Sequence, residues 1–390
     1  MKEVFIVAAK RLPVGGLLGS LSHLSATDLG ALAIKGAIDA TGISVGDIDE
    51  VYMGNVLSAN VGQSPARQAA IFAGIPDTAD ATTINKVCAS GMKATMIGAQ
   101  QIQLGLSDIV VVGGMESMSN VPHYNYIRKG HKYGDVTLID GMIKDGLWDV
   151  YNDFHMGRAA ELCAREYNIS RDAQDEYALA SYAKAAKATA DGKFDAEVIP
   201  VNIKLKSGDI IMTKDEDVYK VIPDKVAKLK PAFEEGGTVT AANASNLNDG
   251  AAALLLVSAE ALEKYGLQPL AKIIGFADAA SAPEWFTTAP SKAIPKALAN
   301  AGITLSDVDF IEINEAYAAV VLANQQILGI DAEKVNVYGG AVAIGHPLGA
   351  SGARVICTLI SVLRQEGGKY GVAAICNGGG GASAIVIEKI

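Results

Sequence analysis

The chain has 390 residues, half of them hydrophobic and 19% charged, and its formal net charge at pH 7 is −10. This balance excludes a disordered, collagen-like or coiled-coil protein, and the acidity argues against nonspecific binding to nucleic acid or anionic membranes. The four cysteines are too few for a disulfide scaffold, and no CxxC pair indicates a zinc site. We therefore expect a globular α/β protein long enough for two or three domains.

The N-terminal segment, MKEVFIVAAKRLP, predicts a first β-strand. Its apolar stretch is too short for a secretory signal peptide, and no apolar run approaches the roughly 20 residues of a membrane-spanning helix. These features favour a cytoplasmic protein. A mitochondrial matrix protein that has lost its presequence would have the same features.

The sequence repeats itself at a spacing of about 260 residues. Residues 38–51 (IDATGISVGDIDEV) align with residues 298–311 (LANAGITLSDVDFI), and each copy predicts a helix that ends at a glycine, a turn and a strand. Further along, Ala-Ser-Gly at 89–91 aligns with Ala-Ser-Gly at 350–352, and each opens a helix that a buried strand follows. This order predicts a duplicated α/β domain with mostly parallel sheets covered by helices on both faces.

A segment of different composition separates the two copies. From Asn120 to about Gly237 it carries most of the histidines and tyrosines, with helical patterns near 153–168 and 171–191. So long an excursion predicts a lid or a ligand-binding cap. The chain then returns through an Asx- and glycine-rich stretch to another buried strand.

Cys88 lies where a strand pattern passes into a helix that begins Ala89-Ser90-Gly91. The free N–H groups at a helix N-terminus favour a thiolate over a thiol. We therefore expect a lowered pKa and a nucleophilic role for this cysteine. The alternative is a buried cysteine that packs as a small hydrophobe.

Three other residues at strand ends or in glycine-rich loops could share a site with Cys88. His346 precedes a helix start, Cys376 ends a buried strand before a run of glycines, and Asn314 ends the second copy's strand. The glycine run can present backbone N–H groups to an oxyanion. A structural histidine and a helix-capping asparagine are the alternatives. A cysteine activated by histidine, with a second cysteine to move protons, suits Claisen chemistry on a thioester.

These residues lie in segments that resemble the thiolase family over essentially the whole chain. Seven motifs stand in the family's order: NKVCASGMKA (85–94), GGMESMSNVP (113–122), HMGRAAE (155–161), NASNLNDGAAA (243–253), NEAYA (314–318), GHPLGASGAR (345–354) and CNGGGGASA (376–384). The closest likeness is to acetoacetyl-CoA thiolases of the biosynthetic and mitochondrial type, that is, acetyl-CoA C-acetyltransferases.

The resemblance implies a thiolase-like duplicated α/β fold of five layers (αβαβα) with an inserted α+β loop domain. The N-terminal half would comprise residues 1–118 and 245–268, and the C-terminal half residues 269–390. The loop domain, residues 119–244, would bind coenzyme A and make oligomer contacts. A homotetramer built from two dimers is the implied assembly.

The resemblance also implies a reversible condensation of two acetyl-CoA molecules to acetoacetyl-CoA and CoA. In this reaction Cys88 becomes acetylated, His346 accepts its proton, and Cys376 removes the α-proton of the second acetyl-CoA. Asn314 holds a water beside the enolate oxygen. The backbone N–H groups of Cys88 and Gly378 bind the oxygen of the tetrahedral intermediate.

Ligand contacts are implied in the same way. The residues that match substrate and coenzyme A contacts are His155, Tyr182, Lys220, Lys225 and Ser245. Four lysines between 220 and 230, against one aspartate, give this stretch a local positive charge that suits phosphates. A potassium site, as in the activated members of the subgroup, would use a hydroxyl and main-chain carbonyls of Tyr182, Ala241, Ala242, Ala244 and Val342. No covalently bound cofactor is implied.

The chain departs from the family pattern at two positions near the expected acyl pocket. Tyr317 stands where phenylalanine is usual, so that its hydroxyl either brings a hydrogen bond to the pocket or lies behind it. Phe286 is followed by Thr287, whereas enzymes that accept a 2-methyl branch have proline there, which puts branched substrates in doubt.

Two other functions remain open at this point. One is a degradative 3-ketoacyl-CoA thiolase that takes longer chains, since the catalytic residues are the same in both. The other is a thiolase-like binding or scaffolding subunit without turnover. The complete set of Cys88, His346, Cys376 and Asn314 argues against the scaffold.

Overall fold

The structure is a computed structural model that describes residues 1–204 and 208–390. In this part of the chain, ten strands belong to one large sheet: β1 (Val4–Arg11), β2 (Gly15–Gly16), β3 (Glu50–Gly54), β4 (Asp80–Ile84), β5 (Ile109–Ser117), β12 (Asn248–Ser258), β13 (Ala271–Ala280), β14 (Phe310–Ile313), β15 (Tyr370–Asn377) and β16 (Gly381–Lys389). Short antiparallel pairs between them are β6 (His123–Tyr124) with β7 (Ile139–Asp140), β8 (Trp148–Asp149) with β9 (Phe154–His155), and β10 (Val201–Ile203) with β11 (Ile210–Met212).

The α-helices of the described residues are α1 (Ala26–Asp39), α2 (Pro65–Phe72), α3 (Ser90–Gln103), α4 (Met156–Glu166), α5 (Arg171–Ala190), α6 (Pro223–Val226), α7 (Ala259–Lys264), α8 (Pro290–Ala301), α9 (Ala318–Leu328), α10 (Ala341–Ile344) and α11 (Leu348–Glu366). Short 3-10 turns lie at Val45–Asp47, Met118–Asn120, Pro283–Thr288, Leu305–Asp307 and Ala332–Lys334, and a π-helical turn lies at Ile143–Leu147. Within these residues, none of the helices combines the length and the apolar character needed to cross a membrane.

The sheet is mixed, so the expectation of mostly parallel sheets is wrong. Its order is β14-β15-β16-β13-β1-β12-β5-β3-β4, and parallel pairing is confined to the two outer parts, β3 with β4 and β5, and β14 with β15. The central pairings are antiparallel, including β1 with β12 and β13. Continuous apolar runs show that a strand is covered on both faces, but they carry no information about its direction.

The duplication predicted from sequence appears element by element. In each half a helix, a 3-10 turn and a strand succeed one another: α1, Val45–Asp47 and β3 in the first, and α8, Leu305–Asp307 and β14 in the second. The matching aspartates even make matching bonds. Asp49 Oδ2 accepts from the backbone N–H groups of residues 108 and 109, and Asp309 Oδ2 accepts from those of residues 369 and 370.

Helices α3 and α11 form the central layer between the two halves of the sheet. One apolar cluster joins these helices to residues of both halves, and two others lie under the outer helices α1 and α2 on one side and α8 and α9 on the other. The repeated glycines let the central helices approach closely: a Cβ at Gly91 would lie 2.9 Å from Ala353 N, and one at Gly352 would lie 2.4 Å from Met92 N. The five layers αβαβα are thus present.

The segment between β5 and β12 packs against the second half of the chain, with α4 and α5 in contact with α9 and with α5 also in contact with α10. Its helical patterns become α4 and α5, as predicted. The charged stretch of this segment includes residues 205–207, which lie outside the described residues. Strand β12 then pairs with β1 and β5, which places the chain back among the strands of the first half.

Candidate active site

Cys88 lies in a tight loop between β4 and α3. The preceding Val87 has φ 47°, a left-handed conformation that is strained for a β-branched residue. The loop is anchored at Lys86, whose backbone N–H donates to Ser90 Oγ at 2.8 Å and whose ammonium bonds Ser383 Oγ at 2.7 Å. The ammonium also pairs with Asp278, so that the loop of one half is tied to strands of the other.

The electrostatic expectation for Cys88 is wrong for the free protein. Burial raises the pKa of the thiol to about 12, although the backbone N–H groups of Gly378 and of Cys88 itself act to lower it. The loss of solvation therefore outweighs the helix N-terminus. The two N–H groups that face the sulfur are nevertheless those that the family resemblance assigns to the oxyanion hole.

His346 lies just before α11 and is 4% exposed. Its Nδ1 lies 2.6 Å from Ser351 Oγ, and that hydroxyl donates to Pro347 O at 2.9 Å. Because a hydroxyl has a single proton, Ser351 accepts from Nδ1–H, and Nε2 is left with its lone pair. Nε2 is buried and bonds to no described residue. Burial and the charge of Arg354 lower the pKa of His346 to about 3, so the ring is a neutral proton acceptor.

Asn314 follows β14 and is fully buried. The N-cap of α9 is Tyr317, so Asn314 does not cap that helix as the alternative interpretation required. Both its Oδ1 and its Nδ2 are buried without a hydrogen-bond partner among the described residues. A buried amide left unpaired costs about 1–3 kcal/mol unless a water or ligand bonds to it, so the residue is suited to hold one.

Cys376 is fully buried near the end of β15. Its pKa is raised well above the usual value, first by burial and then by the charge of Cys88. The segments that carry the two cysteines also meet, since a Cβ at Gly378, two residues after Cys376, would lie 3.6 Å from Val87, the neighbour of Cys88. The structure thus brings together two cysteine segments that are far apart in the sequence.

The glycine run after Cys376 forms the hairpin turn between β15 and β16. Gly379 and Gly380 have φ near 85°, and a Cβ at Gly380 would lie 2.4 Å from Ser281 O. A Cβ at Gly378, in contrast, would approach nothing nearer than 3.6 Å, to Met156 and Val87. A side chain would therefore find room at position 378, whereas position 380 requires glycine.

A cavity of about 750 Å³ leads to His346 from the inserted segment. Most of its wall is apolar, and it includes all five residues that the resemblance assigns to substrate contacts, His155, Tyr182, Lys220, Lys225 and Ser245. His155 caps α4, accepting from Gly157 N–H at 3.0 Å, and stacks on Phe233 with ring centres 4.8 Å apart. Gly378 lies on the wall of a separate cavity of about 520 Å³.

The positive charge expected at the cavity mouth is smaller than the lysine count indicates. Lys220 pairs with Asp217 at 2.7 Å and lies 3.9 Å from Glu216, two carboxylates outside the stretch 220–230. Lys225 lies on the cavity wall in α6. The count of charges between residues 220 and 230 missed this pairing because Asp217 lies outside that stretch. Asp217 is fixed by Asn248 Nδ2, which donates to it at 2.8 Å.

The potassium ligands implied by the resemblance are neutral oxygens, a set that suits a weakly bound monovalent cation. Tyr182, Ala241, Ala242 and Ala244 share the cavity wall. The carbonyl oxygens of Ala241 and Ala242 accept no hydrogen bond from any described residue. The described side chains hold no cluster of three or more acidic, histidine or cysteine residues fit for a metal ion. In this loop the carbonyl oxygens of Ala241 and Ala242 are therefore the groups open to coordination.

One residue beside the site was missed from sequence. The fully buried carboxylate of Glu116 accepts from Asn55 Nδ2 at 2.8 Å and from the backbone N–H groups of Val56, Leu57 and Gly349 at 2.8–3.1 Å. It joins β5, the loop after β3 and the start of α11, beside His346. The sequence feature that could have identified Glu116 is an acidic residue near the end of an apolar strand pattern.

Comparison with known proteins assigns the class. The N-terminal thiolase domain model matches residues 4–260 and the C-terminal thiolase domain model matches residues 267–389. The chain therefore belongs to the thiolase family, whose members are acyltransferases.

Individual relatives cover the chain from end to end. It is 57% identical to acetyl-CoA acetyltransferase 2 of Arabidopsis thaliana, over 100% of this chain and 98% of the relative. It is 55% identical to the cytosolic acetyl-CoA acetyltransferase ERG10 of Gibberella zeae, over 100% and 99%. The Acat5 thiolase of Ascaris suum, solved in complex with coenzyme A, superposes with a TM-score of 0.95 at 45% identity, over 100% of both chains.

Proposed function

We propose that this chain is an acetyl-CoA acetyltransferase that joins two acetyl-CoA molecules to acetoacetyl-CoA and CoA, reversibly, through an acetyl-Cys88 intermediate. The observation that carries the proposal is that the segments of both cysteines and of the histidine meet: a Cβ at Gly378 would lie 3.6 Å from Val87, and Cys88 packs against the cluster that contains Leu348. The buried Nε2 of His346 bonds to no described residue and can accept a proton. Full-length relatives that bear this name support the short-chain substrate. The degradative, longer-chain alternative is not favoured by them.

In the first half-reaction the proton of Cys88 passes to Nε2 of His346 as the sulfur attacks the thioester carbonyl. The negative oxygen of the tetrahedral intermediate meets the N–H groups of Cys88 and Gly378, which already face the sulfur. The carbon–sulfur bond to CoA then breaks, and Cys376 gives its proton to the departing CoA thiolate. Its raised pKa keeps this thiol protonated beforehand.

In the second half-reaction the Cys376 thiolate takes an α-proton from the second acetyl-CoA. A thiolate with a raised pKa is a strong base, which the weakly acidic α-carbon requires. The enolate oxygen is held by protonated His346 and by a water on the Asn314 amide. The enolate carbon attacks the acetyl group, and the released Cys88 sulfur recovers its proton from His346.

Acetylation of the intact protein tests the assigned roles. After incubation with acetyl-CoA, mass spectrometry should find an added acetyl group on the Cys88 peptide, and Cys88→Ala should abolish it. Cys376→Ala should still acquire the group yet form no acetoacetyl-CoA. An unmodified wild-type Cys88 peptide supports a scaffold instead, and normal condensation by Cys376→Ala contradicts the role of that residue.

We include coenzyme A contacts and a potassium ion in the proposal. His155, Tyr182, Lys220, Lys225 and Ser245 would contact the substrate, and potassium would lie at the 240–244 loop with Tyr182 and Val342. Thiolysis of 3-ketoacyl-CoA substrates of increasing length, with and without potassium, measures the chain-length preference and the dependence on the cation. Activity confined to about four carbons supports the short-chain assignment, and equal rates with and without potassium contradict the cation site.

The same proposal covers the domain limits, assembly and location. We divide the chain into an N-terminal half (1–118 plus 245–268), a loop domain (119–244) and a C-terminal half (269–390). The strongly exposed Tyr126 and Tyr133 in the loop domain support a tetramer of paired dimers. The name of the Gibberella relative supports a cytosolic location, and a matrix location is the alternative.

A further inference from the structure

Tyr317 is held rigidly at the start of α9. It is 7% exposed, and its two chain neighbours are bonded to the 243–245 loop. Ala318 N–H donates to Asn243 O at 2.8 Å, and Ala316 O accepts from Ser245 N–H at 3.0 Å. The backbone therefore has little freedom to move the side chain away from its position.

The ring of Tyr317 is fixed as firmly as its backbone. Its edge packs on Phe233, with ring centres 6.1 Å apart and an interplanar angle of 85°, and Phe233 stacks in turn on His155. Tyr317 lies on the wall of the large cavity together with His155 and His346. Its hydroxyl forms no hydrogen bond with any described residue, although the ring belongs to the buried cluster that contains Cys376.

The ring of Tyr317 thus shares the cavity wall with His346 and its buried cluster with Cys376. Burial raises the pKa of Tyr317 far above its usual value, and the charges of Cys88 and Cys376 raise it further. The hydroxyl therefore stays protonated and is a permanent donor. An acyl group carried by Cys88 and the second substrate that attacks it must fit beside this ring.

We propose, on the basis of the function proposed above, that the Tyr317 hydroxyl limits the enzyme to short, unbranched acyl groups. An additional methyl or methylene on the acyl chain would meet an oxygen that the packed ring cannot withdraw, and would cover a donor that has no other partner. Phenylalanine at this position leaves more room and an apolar wall. Discrimination by one methyl in such pockets is typically about 10–200-fold.

The test compares thiolysis of acetoacetyl-CoA, a 2-methyl-branched 3-ketoacyl-CoA and a six-carbon 3-ketoacyl-CoA by wild type and Tyr317→Phe. The ratio of kcat/KM for each larger substrate to that for acetoacetyl-CoA should rise about tenfold in the variant. Tyr338→Phe is the matched control, because that buried tyrosine bonds Glu366 at 2.6 Å and is not on the cavity wall of the described residues. Its ratios should equal those of the wild type.

Three outcomes overturn the assignment, and they differ in scope. If the wild type is active but both kcat/KM ratios of Tyr317→Phe stay within about twofold of the wild-type ratios, the hydroxyl does not select the acyl group. The proposed function then still stands. If the wild type does not cleave acetoacetyl-CoA, the proposed function fails and this assignment fails with it. An equal rise of the ratios in Tyr338→Phe likewise contradicts a specific role for Tyr317.

Discussion

Ser351 Oγ lies 2.6 Å from Nδ1 of His346, one turn inside the helix that the histidine precedes. The serine hydroxyl is itself tied to Pro347 O at 2.9 Å. This short chain of bonds fixes the tautomer of the imidazole and leaves Nε2 as the acceptor. The proton-accepting nitrogen of the candidate site thus depends on a fully buried serine that is not among the described residues of the cavity wall.

Removal of that serine hydroxyl should impair the first half-reaction. In Ser351→Ala, Nδ1–H loses a buried acceptor and the ring can adopt the other tautomer, so we expect acetylation of Cys88 to slow about tenfold, equivalent to about 1.4 kcal/mol. Rapid-quench mass spectrometry of the Cys88 peptide measures this rate. Ser361→Ala, on the same helix but bonded to Glu197, should acetylate normally. Equal slowing in both variants would point to a general loss of structure.

The raised pKa of the Cys88 thiol predicts a specific pH dependence of alkylation. Because its pKa is about 12, the thiolate fraction at neutral pH is small and grows about tenfold for each pH unit. The rate of iodoacetamide modification of the Cys88 peptide should therefore rise steadily between pH 7 and pH 9. A plateau below pH 8 would show instead a thiolate stabilised by His346. The buried Cys163 and Cys357 provide internal controls that should stay unmodified.

The pair between Lys86 and Asp278 should stabilise the nucleophile loop against the strain at Val87. Asp278 also bonds Lys93 at 2.7 Å, and although burial acts to raise its pKa, the two lysines lower it to about 2. Since this value lies below the usual 3.8, the stabilisation is complete at neutral pH and is lost as pH falls from about 4 toward 2. Asp278→Asn should lower the unfolding free energy by about 1 kcal/mol, allowing for partial exposure.

Urea unfolding of wild type and Asp278→Asn between pH 7 and pH 3 measures this contribution. The difference between the two proteins should shrink below pH 4, and the variant should also acetylate Cys88 more slowly. Lys35→Met, which breaks an exposed pair with Asp39, should change neither property. A difference that is constant with pH would show that the charge of Asp278 does not stabilise the fold.

Glu116 should tolerate no amide in its place. In the native protein the two oxygens of Glu116 accept from four donors. In Glu116→Gln an NH₂ group replaces one of these oxygens, so that donors face a donor. We expect the unfolding free energy to fall by about 1–3 kcal/mol, as measured by urea denaturation. Glu263→Gln, on the exposed surface, serves as the control. Unchanged stability in Glu116→Gln would mean that the carboxyl is protonated in the native protein.

The sequence alone was informative wherever the signal is local or repeated. The duplicated helix–turn–strand units, the strand before Cys88 and the helices α4 and α5 all follow from apolar periodicity and from glycine and Asx residues at the ends of elements. The family resemblance then named the residues of the candidate site. Its motifs lie in loops at strand ends, where short stretches of sequence carry the chemistry.

Tertiary structure decided the properties that depend on what surrounds a residue. Strand direction, the pKa of Cys88 and the pairing of Lys220 all differ from expectation, because each depends on neighbours far away in the chain. The same holds for Ser351 and Glu116, whose partners are set by how α11 packs into the centre. Solvation and contact are properties of the packed molecule, so a linear pattern can identify reactive side chains but cannot assign their charge.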